Sequence, residues 1–171
     1  DHDWMLRFMR HRIADKRVLH LIERIIKAGV MDDGHYTKST QGTPQGAVIS
    51  PLLANIYLHY VLDLWAHTWR KKYARGECYV VRYADDTVLG FQYREDGQCF
   101  KRALEARLEK FSLKLNLDKT HLLEFGRFAE ENRKQRRQSK PETFDFLGFT
   151  HICSSRRSDG RFTVKRHTMA K

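Results

Sequence analysis

Residues 79 to 91 read Tyr-Val-Val-Arg-Tyr-Ala-Asp-Asp-Thr-Val-Leu-Gly-Phe, and the chemistry lies in Asp85 and Asp86. Two neighbouring carboxylates repel each other, and a divalent cation relieves that conflict. Hard ions such as Mg²⁺ take carboxylate and phosphate oxygens. A pair of them about 4 Å apart can activate an attacking oxygen and stabilise a leaving one. That is the equipment of phosphoryl or nucleotidyl transfer. The dipeptide by itself also fits an ordinary solvated turn, because Asp is a common turn residue.

The two acids need an element that presents them. β-Branched and aromatic residues flank them on both sides, which predicts a β-hairpin with an acidic tip. Side chains alternate along a strand, so Tyr79, Val81 and Tyr83 share one face while Val80 and Arg82 take the other. One face is expected to be buried, with both carboxylates at the bend.

The supporting elements follow in order. Trp4, Met5, Phe8, Met9 and Ile13 form a helical stripe over 3–13. Asp15 is placed to cap a second helix carrying Val18, Leu19, Ile22, Ile25 and Ile26, which Gly29 stops. Residues 30–46 are turn-rich. Glycines there, Gly46 among them, let backbone approach a ligand closely, and the Gln45 amide can donate and accept; an ordinary connecting loop has the same composition. Ser50 followed by Pro51 predicts a capped helix start. Leu53, Ile56, Tyr57, Tyr60, Val61 and Leu64 form a broad apolar face, extended by Leu52, Leu58 and Leu62, so this helix should lie buried beneath a sheet.

Residues 67–76 mix basic and aromatic side chains, which suits either a nucleic acid strand or a solvated helix end. Asp96 is placed to cap a helix with Phe100, Ala103, Leu104, Leu108 and Phe111 on one face. Alternation at Leu113, Leu115 and Leu117 predicts an extended segment closed by Lys119, by residue type a solvent-exposed turn lysine. Residues 126–142, rich in Arg and Lys, read as a mobile basic loop. Phe144, Phe146 and Phe149 predict an aromatic strand pair turning at Leu147-Gly148, and residues 162–166 another short strand. The sum is an α+β domain, an antiparallel sheet with helices packed on one face.

The chain has 171 residues and a formal charge of +11. That is one domain's worth of chain with a polyanionic partner, although membrane-surface proteins share such a charge. Cys78, Cys99 and Cys153 lie far apart with no CxxC spacing, against a disulfide framework or structural zinc and in favour of a reducing compartment. The apolar run at 47–66 is broken by Ser50, Pro51, Asn55, His59 and Asp63, which argues against a membrane span.

Three blocks carry a resemblance. Tyr83-Ala84-Asp85-Asp86 is similar to the polymerase motif of reverse transcriptases. Gly42-Thr43-Pro44-Gln45-Gly46 with Ser50-Pro51-Leu52-Leu53-Ala54-Asn55 is similar to their preceding block, and Phe144-Asp145-Phe146-Leu147-Gly148-Phe149 follows downstream. The order and spacing resemble bacterial group II intron reverse transcriptases, also called intron maturases, over essentially the whole chain. Ala47 departs from the second glycine usual there.

The resemblance implies a polymerase palm-like sheet with part of the fingers in residues 1–171. The block holding the first catalytic aspartate is expected upstream of Asp1, and the thumb beyond the last residue. It implies RNA-directed DNA synthesis with two Mg²⁺ ions, Mn²⁺ being a possible substitute, held by Asp85 and Asp86. Pro44, Gln45, Gly46 and Asn55 would line the nucleotide and template, although Asn55 also fits a polar group bonded to backbone. Lys119, in a block similar to the family's Asn-x-x-Lys-Thr, would meet the triphosphate or protonate departing pyrophosphate. Leu147 and Gly148 would grip the primer. The implied partners are an RNA template, a DNA primer, dNTPs and intron RNA, in the bacterial cytoplasm and away from membranes. Two other readings share these features: a non-catalytic RNA-binding module that helps an intron fold, and a CRISPR-associated or retron reverse transcriptase.

Overall fold

The computed structural model describes residues 1–32, 35–37, 42 and 48–169. They form two compact units, Asp1–Asn116 and Leu117–Lys171. Helices and short antiparallel ladders are mixed along the chain, so the fold is α+β. Among the described residues the strands make three separate ladders, of two, two and three strands, in place of one continuous sheet.

The first unit opens with α1 (His2–Arg10) and α2 (Lys16–Lys27). Both are capped by aspartates. Asp1 accepts from Trp4 N at 3.0 Å and Asp15 from Arg17 N at 2.8 Å, each satisfying a first-turn N–H that has no helical partner. Met5, Leu6, Phe8 and Met9 are the buried face of α1, whereas only Ile26 of α2 is fully buried. A small ladder, β1 (Val30–Asp32) with β2 (His35–Thr37), follows.

The central helical rod is α3 (Ser50–Leu58), a π-helical turn (His59–Asp63) and α4 (Leu64–Lys72). Ser50 is the first helical residue and Ile49 the cap, without a side-chain bond, so the expected serine cap does not form. The π turn was not expected either, and it changes which residues face inward. One extra residue rewinds the helix by about 100°. Leu53, Tyr57 and Val61 are therefore succeeded by Leu62, Ala66 and Trp69 on the buried face, and Leu64 is left 47 % exposed.

The rod packs against α1 and α5 (Arg94–Lys110), and the inner face of a hairpin, β3 (Cys78–Tyr83) with β4 (Asp86–Phe91), closes the same core. Val80, Leu89 and Phe91 reach this core, so the helices cover one face of the hairpin. Trp69 belongs to the core as well, edge-on to Phe100 at 4.9 Å, and so is not a ring waiting for a base. The buried Tyr57 hydroxyl donates to Phe111 O at 2.7 Å and joins the rod to the end of α5.

Asp96 does not cap α5, whose cap position is Tyr93. Its carboxylate, 4 % exposed, instead accepts from Arg75 N at 2.9 Å, Gly76 N at 3.2 Å and Arg75 Nε at 3.2 Å. It thereby fixes the bend that feeds β3. Leu113 and Leu115 pack beside the core, but among the described residues 113–117 join no ladder.

The second unit contains α6 (Ala129–Gln135) and the ladder β5 (Phe144–Phe146), β6 (Phe149–Ser155), β7 (Phe162–Thr168). Residues 126–142 were expected to be a mobile basic loop, but α6 is built into them. Glu124 accepts from Asn132 Nδ2 at 2.9 Å and pairs with Arg136 at 2.9 Å, while Arg133 reaches Ser139 O at 2.8 Å. Much of that basic charge is thus neutralised locally.

Candidate active site

The hairpin tip is built by a two-residue turn. Tyr83 pairs with Asp86 as the last rung, leaving Ala84 and Asp85 to reverse the chain. Ala84 has φ +53°, a left-handed conformation that costs a residue with a Cβ about 1 kcal/mol. Cross-strand partners share a face, so Asp86 lies on the side of Tyr83, together with Val81 and Tyr79. All four are exposed, the helices being packed against the other side.

Asp85 and Asp86 are both solvent-exposed at this tip, and among the described residues neither carboxylate makes a hydrogen bond or an ion pair. Their oxygens are of the kind that hard divalent ions prefer. Among the described residues no group of three or more His, Cys, Asp or Glu side chains is arranged to hold a metal. In donor chemistry alone, two adjacent carboxylates are compatible with a hard divalent cation.

The cation nearest in sequence, Arg82, is turned away from the two acids. It occupies the inner face of β3, 13 % exposed at the side chain. Its Nε and Nη2 donate to the two oxygens of Asp63 at 2.7 Å each, in the side-on geometry that suits guanidinium and carboxylate. Its Nη1 donates to Asn55 Oδ1 at 2.8 Å and to Ala84 O at 2.7 Å. The hydrogen bond from Arg82 is the main cause holding the Asp63 carboxyl below its ordinary range, against the upward push of partial burial. The Arg82 guanidinium is shifted up for the same reason.

Asn55 also donates to Pro51 O at 3.1 Å, so both ends of its amide are engaged. Arg82 and Asp63 had not been singled out as site residues. The available signal was a cation on the inward-facing register of a strand, where a charge requires a partner.

Other expected site residues lie elsewhere. Pro44, Gln45 and Gly46 are outside the described residues. Lys119, Leu147 and Gly148 belong to the second unit. There Lys119 sits in a turn at 117–119, and Leu147-Gly148 form the two-residue connection between β5 and β6, with φ +52° and +77°. Two positive φ angles describe a type I′ turn, whose twist matches that of the paired strands.

The family described as "Reverse transcriptase (RNA-dependent DNA polymerase)" matches residues 1–151. Protein YkfC of Escherichia coli (strain K12) is 33% identical over 150 residues, covering 71% of this chain and 39% of that protein. The Group II intron-encoded protein LtrA of Lactococcus lactis subsp. cremoris is 43% identical over 68 residues, covering 37% of this chain and 11% of that protein. The Putative COX1/OXI3 intron 1 protein of Saccharomyces cerevisiae is 26% identical over 167 residues, covering 70% of this chain and 20% of that protein. The chain therefore spans well under half the length of these relatives.

Proposed function

Since the chain belongs to the reverse transcriptase (RNA-dependent DNA polymerase) family, we propose that it carries part of the active site of an RNA-directed DNA polymerase of the group II intron type. The observation carrying this reading is the pair of exposed carboxylates, Asp85 in a two-residue turn and Asp86 on the rung beside it, neither with a partner among the described residues. The likeness to a group II intron-encoded protein adds the intron context.

In this reading Asp85 and Asp86 hold Mg²⁺, or Mn²⁺ in its place, and the third ligand comes from a carboxylate outside the described residues. Two such ions, when bound, supply electrophilic stabilisation of the phosphates and lower the pKa of the attacking hydroxyl. Pro44, Gln45, Gly46 and Asn55 position the incoming nucleotide against the template base. Lys119 neutralises the triphosphate, and Leu147 with Gly148 holds the primer backbone close to a tight turn. RNA template, DNA primer and dNTPs are the substrates, and the excess of basic residues favours the nucleic acid. Among the described residues no helix is long and apolar enough to cross a membrane. A nucleic-acid-bound protein of the bacterial cytoplasm is the location we assign.

The test is primer extension on an RNA template by a polymerase-active protein containing this chain. Asp85→Asn is expected to lower nucleotide addition by at least 10³-fold while leaving RNA affinity unchanged or improved, since one negative charge is lost. Extension at the unaltered rate would defeat the enzyme reading and favour an RNA-binding module.

A further inference from the structure

The turn that carries the carboxylates is tied to the core through one side chain. Four of the five N–H groups of Arg82 are committed, two to Asp63, one to Asn55 and one to Ala84 O. The Ala84 carbonyl belongs to the peptide group that joins Ala84 to Asp85, so the last of these bonds fixes the plane from which Asp85 projects. The other three bonds end on the helical rod, whose Leu53, Tyr57, Val61 and Leu62 are buried in the core.

The π turn is what allows the rod to do this. In an uninterrupted α-helix, Asn55 and Asp63 would point roughly 80° apart; the one extra residue accommodated in the π turn shifts this by about 100°, leaving roughly 20°. Both side chains then meet the same guanidinium. A π turn that begins after Asn55 and ends on Asp63, and a left-handed Ala84 held at its carbonyl, are local departures from regular geometry converging on one side chain. Such departures persist where the surroundings over-determine them.

We propose that Arg82, anchored by Asp63 and Asn55 across the π turn, is a positioning residue that sets the geometry of Asp85 and Asp86 for divalent-ion binding. The inference rests on the polymerase reading of that site. The contacts of Arg82 are to Asp63, Asn55 and the Ala84 carbonyl, so its assigned action runs through the Ala84 peptide. Mg²⁺ demands near-ideal octahedral geometry, so a tip that has lost its brace should bind it less well than it binds more permissive ions such as Mn²⁺.

The experiment compares Arg82→Lys, Asp63→Asn and Asp85→Asn in a polymerase-active protein containing this chain, with primer extension titrated in Mg²⁺ and in Mn²⁺. The affinity of the protein for each ion, expected to fall more for Mg²⁺ than for Mn²⁺, is measured directly by calorimetry without substrate. Arg82→Lys keeps the charge but loses the fork that reaches two partners at once. The expected result is a fall in kcat of at least 10-fold in Mg²⁺, a raised half-saturating Mg²⁺ concentration, partial recovery in Mn²⁺, and a KM for primer-template within about 2-fold of the starting protein. Asp63→Asn should shift the metal preference in the same direction.

Unchanged kcat and Mg²⁺ requirement in both variants would overturn the proposal. So would a loss of activity that matches the unfolded fraction and is equal in the two metals. Should Arg82→Lys fail to fold, Asp63→Asn carries the same comparison. Asp85→Asn separates the two layers: if it still extends primers at the unaltered rate, the polymerase reading fails. If it is dead while Arg82→Lys is unaffected, only the positioning role fails.

Discussion

Arg82 and Asp63, nineteen residues apart in the chain, face each other with two N–H···O bonds of 2.7 Å, one at each carboxylate oxygen. The pair joins the strand before the acidic turn to the π turn of the buried rod. Because both groups are largely shielded, removing one partner leaves a charge facing the core without its counter-ion. Asp63→Ala is expected to lower unfolding free energy by about 2 kcal/mol in urea denaturation. An unchanged midpoint would show that the pair is an ornament of the surface.

The same pair sets an acid limit. Asp63 has a folded-state pKa below its unfolded one, mainly through the Arg82 hydrogen bond, so its contribution is present above the unfolded carboxylate range. It is lost as pH falls from there through the folded value. The stability of Asp63→Asn should therefore fall less steeply below about pH 4 than that of the unaltered chain. Parallel acid limbs would contradict this.

Tyr57 sets an alkaline limit. Burial pushes its hydroxyl from an ordinary value of 10.0 up to about 12, and the proton is the one donated to Phe111 O. A raised pKa means that the folded state retains the proton, so this stabilisation is complete below pH 10 and is lost between pH 10 and 12. Tyr57→Phe should cost about 1 kcal/mol near neutrality and remove that alkaline slope. Ultraviolet-monitored titration together with thermal denaturation measures both.

Gly76 fills a space with no room for a side chain. A Cβ there would meet Gln92 Oε1 at 2.6 Å, Tyr93 Cε2 at 2.7 Å and Gln92 Cβ at 2.8 Å. Its N–H is also held by the buried Asp96. Gly76→Ala should destabilise the first unit by about 1–3 kcal/mol, through displacement of Gln92 and Tyr93 at the root of the acidic hairpin. A melting temperature within a degree of the starting value would refute that packing.

The parts of this fold legible in the sequence are those set by neighbours in the chain. Strand alternation through Tyr79 to Tyr83, the Asp15 cap and the Leu147-Gly148 turn each depend on a few adjacent residues. The π turn was hidden because Leu53, Tyr57, Val61 and Leu64 fit an unbroken helix. Only the second stripe, Leu62, Ala66 and Trp69, betrays the slip in phase. Asp96 looked like a helix cap because its partners, Arg75 and Gly76, lie some twenty residues earlier and come near only after folding. In the candidate site, Asp85 and Asp86 were readable from their types, whereas the brace behind them required knowing that Asn55 and Asp63 end on one face.

The most direct measurement is a Mn²⁺ titration of the ¹⁵N-labelled chain followed by paramagnetic broadening of its amide signals. If the adjacent acids hold divalent cations, the amides of residues 83–88 broaden first, excess Mg²⁺ restores them, and Asp85→Asn with Asp86→Asn abolishes the effect. Broadening that spares the hairpin tip, or that persists in the doubly substituted chain, would contradict the account.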